Sequence, residues 1–303
     1  MIITLLPDKK RLHLQHGPID LIIEAFGAQD EIARAYHQAS ERFQTVLDEL
    51  VDELPLLRSP LPHALPMHGT IAQAMAKATQ PHADEFITPM AAVAGAVADE
   101  ILKCLCHGTR LDKAYVNNGG DIALYISPHS DEIFRTGIVT DPRTAELLTT
   151  ATIVADSAIN GIATSGRHGR SHSLGIADCV TVFAASAAMA DAAATIIANK
   201  VDLSDCEKIV RQPARHLAPD SDLGNRLVTV DVGQLSHEEK TMALDAGQRH
   251  ADYLCQTGVI KAAYLSLQSE TRIIDGPIDV IPAFAPHSNL STIPKNQNRI
   301  AHA

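Results

Sequence analysis

The chain has 303 residues, of which 46% are hydrophobic and 20% charged, and its formal net charge is −11. This composition is ordinary for a soluble globular protein with a sizeable core. The negative charge disfavours nucleic acid and anionic membranes as partners, because both require compensating Lys and Arg. The five cysteines are scattered and odd in number, which predicts a reducing, cytoplasmic location rather than a disulfide framework. We find neither a secretory signal nor an apolar stretch long enough to span a bilayer.

The order of the predicted elements is strands, two long helices, and then strands with further helices. Helices are predicted from apolar periodicity between Ala28 and Pro55 and between Pro89 and Gly108, and from a capping box of Ser236 with Glu239. Strands are predicted in "RLHLQHGPIDLIIEAFG", "KAYVNNGGDIALYIS", "EIFRTGIVT", "NRLVTVDVG", "VIKAAYLSLQ" and "TRIIDG". This order predicts an α+β fold, in which helices pack on a largely antiparallel sheet. We expect a single domain over residues 1–285 and a polar tail over 286–303.

The segment "VNNGGDIALYI" is the first candidate for binding. Asn117, Asn118 and Asp121 offer hydrogen-bonding groups, and Gly119 and Gly120 let a ligand or another backbone approach closely. The alternative is a simple turn that leads into a strand.

The segment "TSGRHGRSH" is the second candidate. It offers hydroxyls, accessible backbone N–H groups and the guanidinium groups of arginines, which suit a phosphate or a carboxylate. Its imidazoles can transfer protons near neutral pH. The residues concerned are Thr164, Ser165, Gly166, Arg167, His168, Arg170 and His172. Two alternatives stay open. The arginines could pair with the protein's surplus of acids, or His168 and His172 could belong to a zinc site, although the surrounding glycines disfavour a helix there.

The alanine-rich segment "SAAMADAAATIIANKV" is the third candidate. If it forms one helix, Asp191 and Thr195 are four residues apart and share a face. A carboxylate and a hydroxyl are hard oxygen donors that suit Mg²⁺. The alternative is that Asp191 caps a shorter helix.

Four motifs follow one another in a specific order: "AAVAGAVAD" (Ala91 to Asp99), "NNGGD" (Asn117 to Asp121), "ATSG" (Ala163 to Gly166) and "ADAAAT" (Ala190 to Thr195). Over roughly residues 10–275, this ordered set resembles the ApbE-like superfamily, whose flavin transferases move FMN from FAD onto a protein threonine. The chain is most similar to a shorter cytoplasmic branch. The resemblance implies the ApbE-like variant of the T-fold.

The resemblance also implies roles for individual residues. Asp191, Thr195 and the backbone carbonyl of Ala91 would bind Mg²⁺. The GGD and TSG segments would line a flavin-nucleotide site, and His172, with His168 second, would serve as the base.

Three departures separate this chain from the transferases. The family lysine is replaced by Ala94, the segment "HSLGIAD" is short and lacks the family proline, and we expect no export signal. We therefore do not expect FMN transfer to a protein threonine, and we expect the arginines of "GRHGR" to supply the missing positive charge.

The expected function is a Mg²⁺-assisted transferase or hydrolase acting on a small phosphorylated ligand, with FAD or FMN as candidates. The alternatives are a non-catalytic protein that binds a flavin or another anionic cofactor, and an assembly role with a vestigial cleft. The sequence leaves a homo-oligomer open.

Overall fold

A nine-stranded antiparallel sheet runs through the structure, which is a computed structural model describing residues 1–61, 66–139, 147–169, 171–274, 276 and 279–282. The strand order is β1-β2-β3-β4-β5-β8-β9-β12-β13. In chain order these strands are β1 (Ile2–Leu5), β2 (Leu12–His16), β3 (Ile19–Gly27), β4 (Leu111–Asn118), β5 (Asp121–Ile126), β8 (Gly161–Ser165), β9 (Cys179–Ala184), β12 (Ala262–Leu267) and β13 (Glu270–Ile274). Each neighbouring pair is antiparallel.

Two smaller sheets accompany the large one. A three-stranded sheet contains β6 (Ile133–Val139), β7 (Leu147–Val154) and β14 (Asp279–Pro282), and a two-stranded sheet contains β10 (Ile209–Pro213) and β11 (Leu227–Val232). Aromatic and aliphatic side chains join the three-stranded sheet to the large one. Tyr115 of β4 meets Phe134 of β6 in a T-shaped contact with ring centroids 6.2 Å apart.

The helices are α1 (Gln29–Asp52), α2 (Leu54–Leu57), α3 (Thr70–Thr79), α4 (Val93–Cys106), α5 (Ala187–Lys200), α6 (Ala214–Leu217) and α7 (His237–Gln256), with 3₁₀ turns at Gln80–His82, Pro89–Ala92 and Ala155–Ser157. The longer helices α1, α3, α4, α5 and α7 pack on the other face of the large sheet. The long α1 buries Ala35, Ala39, Phe43, Val46 and Leu50, which recur at the three- and four-residue steps of one helix face. On α5 alanines face the core, which lets that helix approach the sheet and its neighbours closely.

The predicted α+β architecture is confirmed, as are the long helices and the capping box, in which Ser236 and Glu239 exchange hydrogen bonds at the start of α7. The predicted second helix starts as a 3₁₀ turn at Pro89–Ala92 before α4 begins. The elements that the sequence pattern did not predict are α2, α3, α6, β1, β7, β8, β10 and β14. The polar tail after residue 285 lies outside the described residues, as does part of the proline-rich loop. Within the described ranges, no helix has the length and apolar character that crossing a membrane requires.

Candidate functional site

The close crossing of α4 and α5 creates the centre of the candidate site. Gly95 lies in the first turn of α4, where a Cβ would come within 2.6 Å of the Ala188 nitrogen and closer still to the Ala187 carbonyl. These neighbours are backbone atoms, which cannot rotate away. A glycine is therefore required here, and it brings the start of α4 against the start of α5.

Asp191 lies in the second turn of α5 and reaches across to α4. Its Oδ2 accepts a hydrogen bond from the Gly95 N–H at 3.1 Å. The N-cap of α5 is Ser186, whose side chain accepts from the Met189 N–H at 3.3 Å. The alternative in which Asp191 caps its own, shorter helix is therefore wrong: Asp191 meets the N-terminus of the neighbouring helix instead.

A second carboxylate stands beside Asp191. Burial raises the pKa of Asp191 well above its ordinary value, and the nearby Asp121 carboxylate raises it further, while the Gly95 and Ala94 N–H groups act in the opposite direction. Asp121 begins β5 and accepts from the Thr164 N–H at 3.3 Å. Two carboxyl groups thus share a half-buried position, in which ionisation of Asp191 is disfavoured.

The double glycine forms the tight turn between β4 and β5. Asn118 pairs with Asp121, and Gly119 and Gly120 between them have φ values of +67° and +110°. The Asn117 side chain accepts from the Gly120 N–H at 2.8 Å, and the Asn118 amide donates to the Ala94 carbonyl at 3.1 Å. The turn interpretation is confirmed, and the turn is fastened to the start of α4. Contact of these residues with a ligand stays a prediction.

Ala91 occupies the 3₁₀ turn that leads into α4. In a regular helix the Gly95 N–H would bond to the Ala91 carbonyl, four residues earlier. Here that N–H donates to Asp191. Thr195 lies one turn beyond Asp191 on the same face of α5 and is half-buried.

The donors on these elements fit Mg²⁺ better than zinc. They are carboxylate, hydroxyl and carbonyl oxygens, the hard donors that Mg²⁺ prefers along with several waters. In the part of the chain that the structure describes, no group of three or more His, Cys, Asp or Glu side chains is arranged to hold a metal ion. The zinc alternative at His168 and His172 thus has no cluster to support it among those residues.

The TSG segment is held largely by contacts within the protein. The Arg167 guanidinium meets Asp178 Oδ1 through Nε at 2.8 Å and through a terminal nitrogen at 2.7 Å, and its backbone N–H donates to the Ala177 carbonyl at 2.8 Å. His168 Nε2 lies 3.4 Å from the same Asp178 oxygen. For Arg167, the alternative in which the arginines pair with acidic residues is therefore confirmed. The second arginine, Arg170, lies outside the described residues.

Of the three residues predicted to offer backbone N–H groups to a phosphate, Thr164 donates its N–H to Asp121 within the protein. Ser165 and Gly166 stay predicted ligand contacts. Gly166 has a φ of +149°, and a Cβ there would lie 2.9 Å from the Asp178 carbonyl carbon.

His172 is exposed and lies toward the far end of α5. Its loop is anchored where the Leu174 N–H donates to Asn199 Oδ1 at 3.0 Å. Asn199 follows Asp191 by eight residues, which corresponds to about 12 Å along a helix axis. The structure therefore brings Asp121, Asp191 and the start of α4 together, and it anchors the His172 loop about two helical turns away.

A segment that the sequence analysis did not single out connects both ends of this site. We call residues 209–232 the bridging hairpin. At one end the Thr229 N–H donates to the Ser173 carbonyl at 2.9 Å, next to His172. At the other end Asp222 accepts a hydrogen bond from Thr88, the N-cap of the Pro89–Ala92 turn. No local pattern reveals such contacts, because Thr88 and Asp222 are 134 residues apart.

The fold and the site together define an α+β protein with a half-buried acidic site between two crossing helices. A sequence profile of the family described as "AbpE bacteria" matches residues 3–273. The chain belongs to this ApbE-like family.

Relatives among known proteins come from methanogenic archaea and carry the name UPF0280 protein. The relative from Methanothrix thermoacetophila is 33% identical over 202 residues, which cover 64% of this chain and 81% of the relative. The relative from Methanopyrus kandleri is 33% identical over 153 residues, covering 47% and 54% of the two chains. The relative from Methanococcus vannielii is 40% identical over 116 residues, covering 37% and 45%.

Solved structures also match. The ApbE protein from Thermotoga maritima is 12% identical, with a TM-score of 0.39, and the match covers 83% of this chain and 77% of that one. The flavin transferase ApbE from Vibrio cholerae is 12% identical, with a TM-score of 0.37, and the match covers 91% and 97% of the two chains.

Proposed function

We propose that this protein binds a flavin nucleotide together with Mg²⁺ and acts on its phosphate linkage, as a hydrolase or as a transferase to an acceptor other than a protein threonine. The observation that carries the proposal is the pairing of Asp191 with Asp121 beside the start of α4. Membership of the ApbE-like family supports a flavin nucleotide as the ligand class.

The electrostatics favour a divalent cation at this place. Burial and the Asp121 carboxylate both raise the pKa of Asp191, so each disfavours its charged form. A cation bound to the Asp191 carboxylate would reverse that penalty, because it stabilises the ionised form. Thr195 and the Ala91 carbonyl would complete the protein's share of the ligands. When bound, Mg²⁺ would neutralise the negative charge of phosphate oxygens.

The protein's own residues would then bind and orient the ligand. Gly119 and Gly120 have no side chains, so a phosphate can approach the turn closely. A neutral His172 can accept a proton from an attacking hydroxyl or water. The distance of about 12 Å along α5 between Asp191 and the anchor of the His172 loop suits an extended dinucleotide such as FAD better than a single phosphate.

Transfer of FMN to a protein threonine is not part of the proposal. Ala94 offers no ammonium group where the transferases have a lysine. Of the two arginines expected to supply a replacement charge, Arg167 is paired with Asp178. We expect incubation with FAD, Mg²⁺ and an acceptor domain to give no covalent FMN adduct by mass spectrometry. An adduct formed at catalytic rates would contradict this part of the proposal.

The direct test is calorimetric titration of the full chain with FAD, with and without Mg²⁺, followed by chromatography of the products. We expect binding that depends on Mg²⁺ and slow release of FMN and AMP. Asp191→Asn should weaken Mg²⁺-dependent binding at least about tenfold, because loss of even a hydrogen-bond partner of a metal ligand typically costs about that much. The matched control is Asp131→Asn, which removes an exposed carboxylate and should change nothing.

The outcomes separate the candidate functions. FAD binding without FMN or AMP would support the non-catalytic alternative. If the parent protein binds FAD equally with Mg²⁺ and with a chelator, the cation site is refuted. If it binds no flavin nucleotide under either condition, the proposed function fails.

A further inference from the structure

Asp99, near the middle of α4, makes a two-pronged contact with the start of α5. One carboxylate oxygen accepts the Ala187 N–H at 2.9 Å, and the other accepts the Ala188 N–H at 2.9 Å. These N–H groups belong to the first turn of α5 and have no acceptor within their own helix. Asp99 therefore adds to the cap that Ser186 provides, and it does so from another helix.

The contact is reciprocal. Asp191 of α5 accepts an N–H from the first turn of α4, while Asp99 of α4 accepts two from the first turn of α5. Each helix thus supplies a carboxylate to the N-terminus of the other, where the partial positive charge of the helix dipole favours an anion. Gly95 lies at the contact between the two, and the crossing leaves no room for a side chain there.

We infer that Asp99 is the positioning residue of the candidate cation site, an inference that rests on the proposed function. Two of the proposed ligands, Asp191 and Thr195, are carried by α5. The third, the Ala91 carbonyl, lies in the 3₁₀ turn that leads into α4. Their relative position is therefore set by the joint between the two helices, which Asp99 fastens from one side. Mg²⁺ requires near-ideal octahedral geometry, so a small shift of α5 relative to α4 lowers its affinity.

The effect of Asp99 on stability can be separated from its effect on position. Burial raises the pKa of Asp99 to about 6, so at neutral pH the protein holds a carboxylate at some energetic cost. In Asp99→Asn the amide removes that charge, but it accepts from one N–H only and turns its own NH₂ toward the other. Loss of the hydrogen bond therefore lowers stability, whereas relief of the buried charge raises it. Both changes weaken the attachment of α5 to α4, because the N-terminus of α5 loses a hydrogen-bond acceptor and a negative charge.

The experiment compares Asp99→Asn with Ser236→Ala, which removes the N-cap of α7, a helix without any proposed ligand. Both are made in the full chain and measured well below their melting temperatures. The first readout is amide hydrogen exchange of residues 93–96 without metal. We expect faster exchange at Gly95 in Asp99→Asn only, because its bond to Asp191 depends on the same joint. Unchanged exchange in this segment would overturn the inference, whether or not the protein binds a metal.

The second readout is the Mg²⁺ concentration needed for half-maximal FAD binding. We expect it to rise about tenfold in Asp99→Asn and to stay unchanged in Ser236→Ala. Equal values in both variants would reduce Asp99 to an ordinary helix cap and would also overturn the inference. If the parent protein shows no Mg²⁺-dependent FAD binding, the proposed function fails, and the exchange measurement alone decides the role of Asp99.

Discussion

His82 makes the stability of this protein sensitive to acid. It lies in the Gln80–His82 turn with 3% of its surface exposed, and neither ring nitrogen has a hydrogen-bond partner among the described residues. Burial, with a smaller contribution from His250, lowers the pKa of His82 from 6.5 to about 4. The folded protein therefore holds this imidazole neutral in a pH range where the unfolded chain protonates it.

The sign and size of the effect follow from proton linkage. The unfolded chain binds a proton at His82 as the pH falls below 6.5, and the folded protein does so only near pH 4. Stability is therefore lost through this window, at about 1.4 kcal/mol for each pH unit and about 3 kcal/mol in total. Asp99 acts in the opposite direction, because its raised pKa favours the folded state on acidification. That contribution is the same in the parent and in a His82 variant, and it cancels when they are compared.

The informative substitution is His82→Leu, which removes the titrating group and two unpartnered nitrogens. Urea denaturation at about pH 7 and about pH 4.5 gives the free energy of unfolding of parent and variant. We expect the free energy of unfolding of the variant, relative to that of the parent, to rise by about 2–3 kcal/mol from about pH 7 to about pH 4.5. His129→Leu, at an exposed loop position, is the control and should show no such growth. An advantage that is the same at both pH values would refute the linkage.

Two further predictions concern the framework of the site. Gly95→Ala should destabilise the protein by about 2 kcal/mol, because the added Cβ clashes with the Ala187 backbone. On an open helix the same change stabilises by about 1 kcal/mol. Thermal melting measures the effect. Gly233→Ala is its control, since a Cβ there finds its nearest atom at an ordinary 3.5 Å, and equal melting of both variants would contradict the clash. Thr88→Val should lower the free energy of unfolding by about 1–2 kcal/mol, because it removes the hydroxyl that donates to Asp222. It should also speed proteolysis of residues 218–226. Unchanged cleavage would show that other contacts hold the bridging hairpin.

Features that depend on one helix or one turn could be predicted from the sequence. The spacing of Asp191 and Thr195 places them on one helix face, and the double glycine between Asn118 and Asp121 predicts the tight turn. The capping box at Ser236 is equally local. In each case the decisive interactions lie within about four residues, where the geometry of the element fixes which groups meet.

Contacts between elements could not be predicted in this way. Asp99 lies 88 and 89 residues before the two N–H groups that donate to it, and only the packing of α4 on α5 brings them together. The pairing of Arg167 with Asp178 shows the same limit at shorter range. Both residues were visible in the sequence, yet the choice between a phosphate clamp and an internal ion pair depended on how the loop returns to β9.

The position of Asp191 in an alanine-rich helix follows from the same packing. An aspartate inside a helix is mildly unfavourable. Burial adds a second cost, because it disfavours the charged form of Asp191 and raises its pKa. The alanines allow α5 to cross α4 so closely that Asp191 reaches the first N–H groups of α4, and those groups compensate part of the cost. They do not remove the repulsion from Asp121. If Asp191 serves only as a cap, loss of that repulsion is favourable. If Asp191 binds Mg²⁺, the negative charge of Asp121 also helps to attract the cation. Asp121→Asn therefore distinguishes the two roles. It should stabilise the metal-free protein and weaken Mg²⁺-dependent FAD binding. Stabilisation without any loss of binding would leave Asp191 as a cap alone.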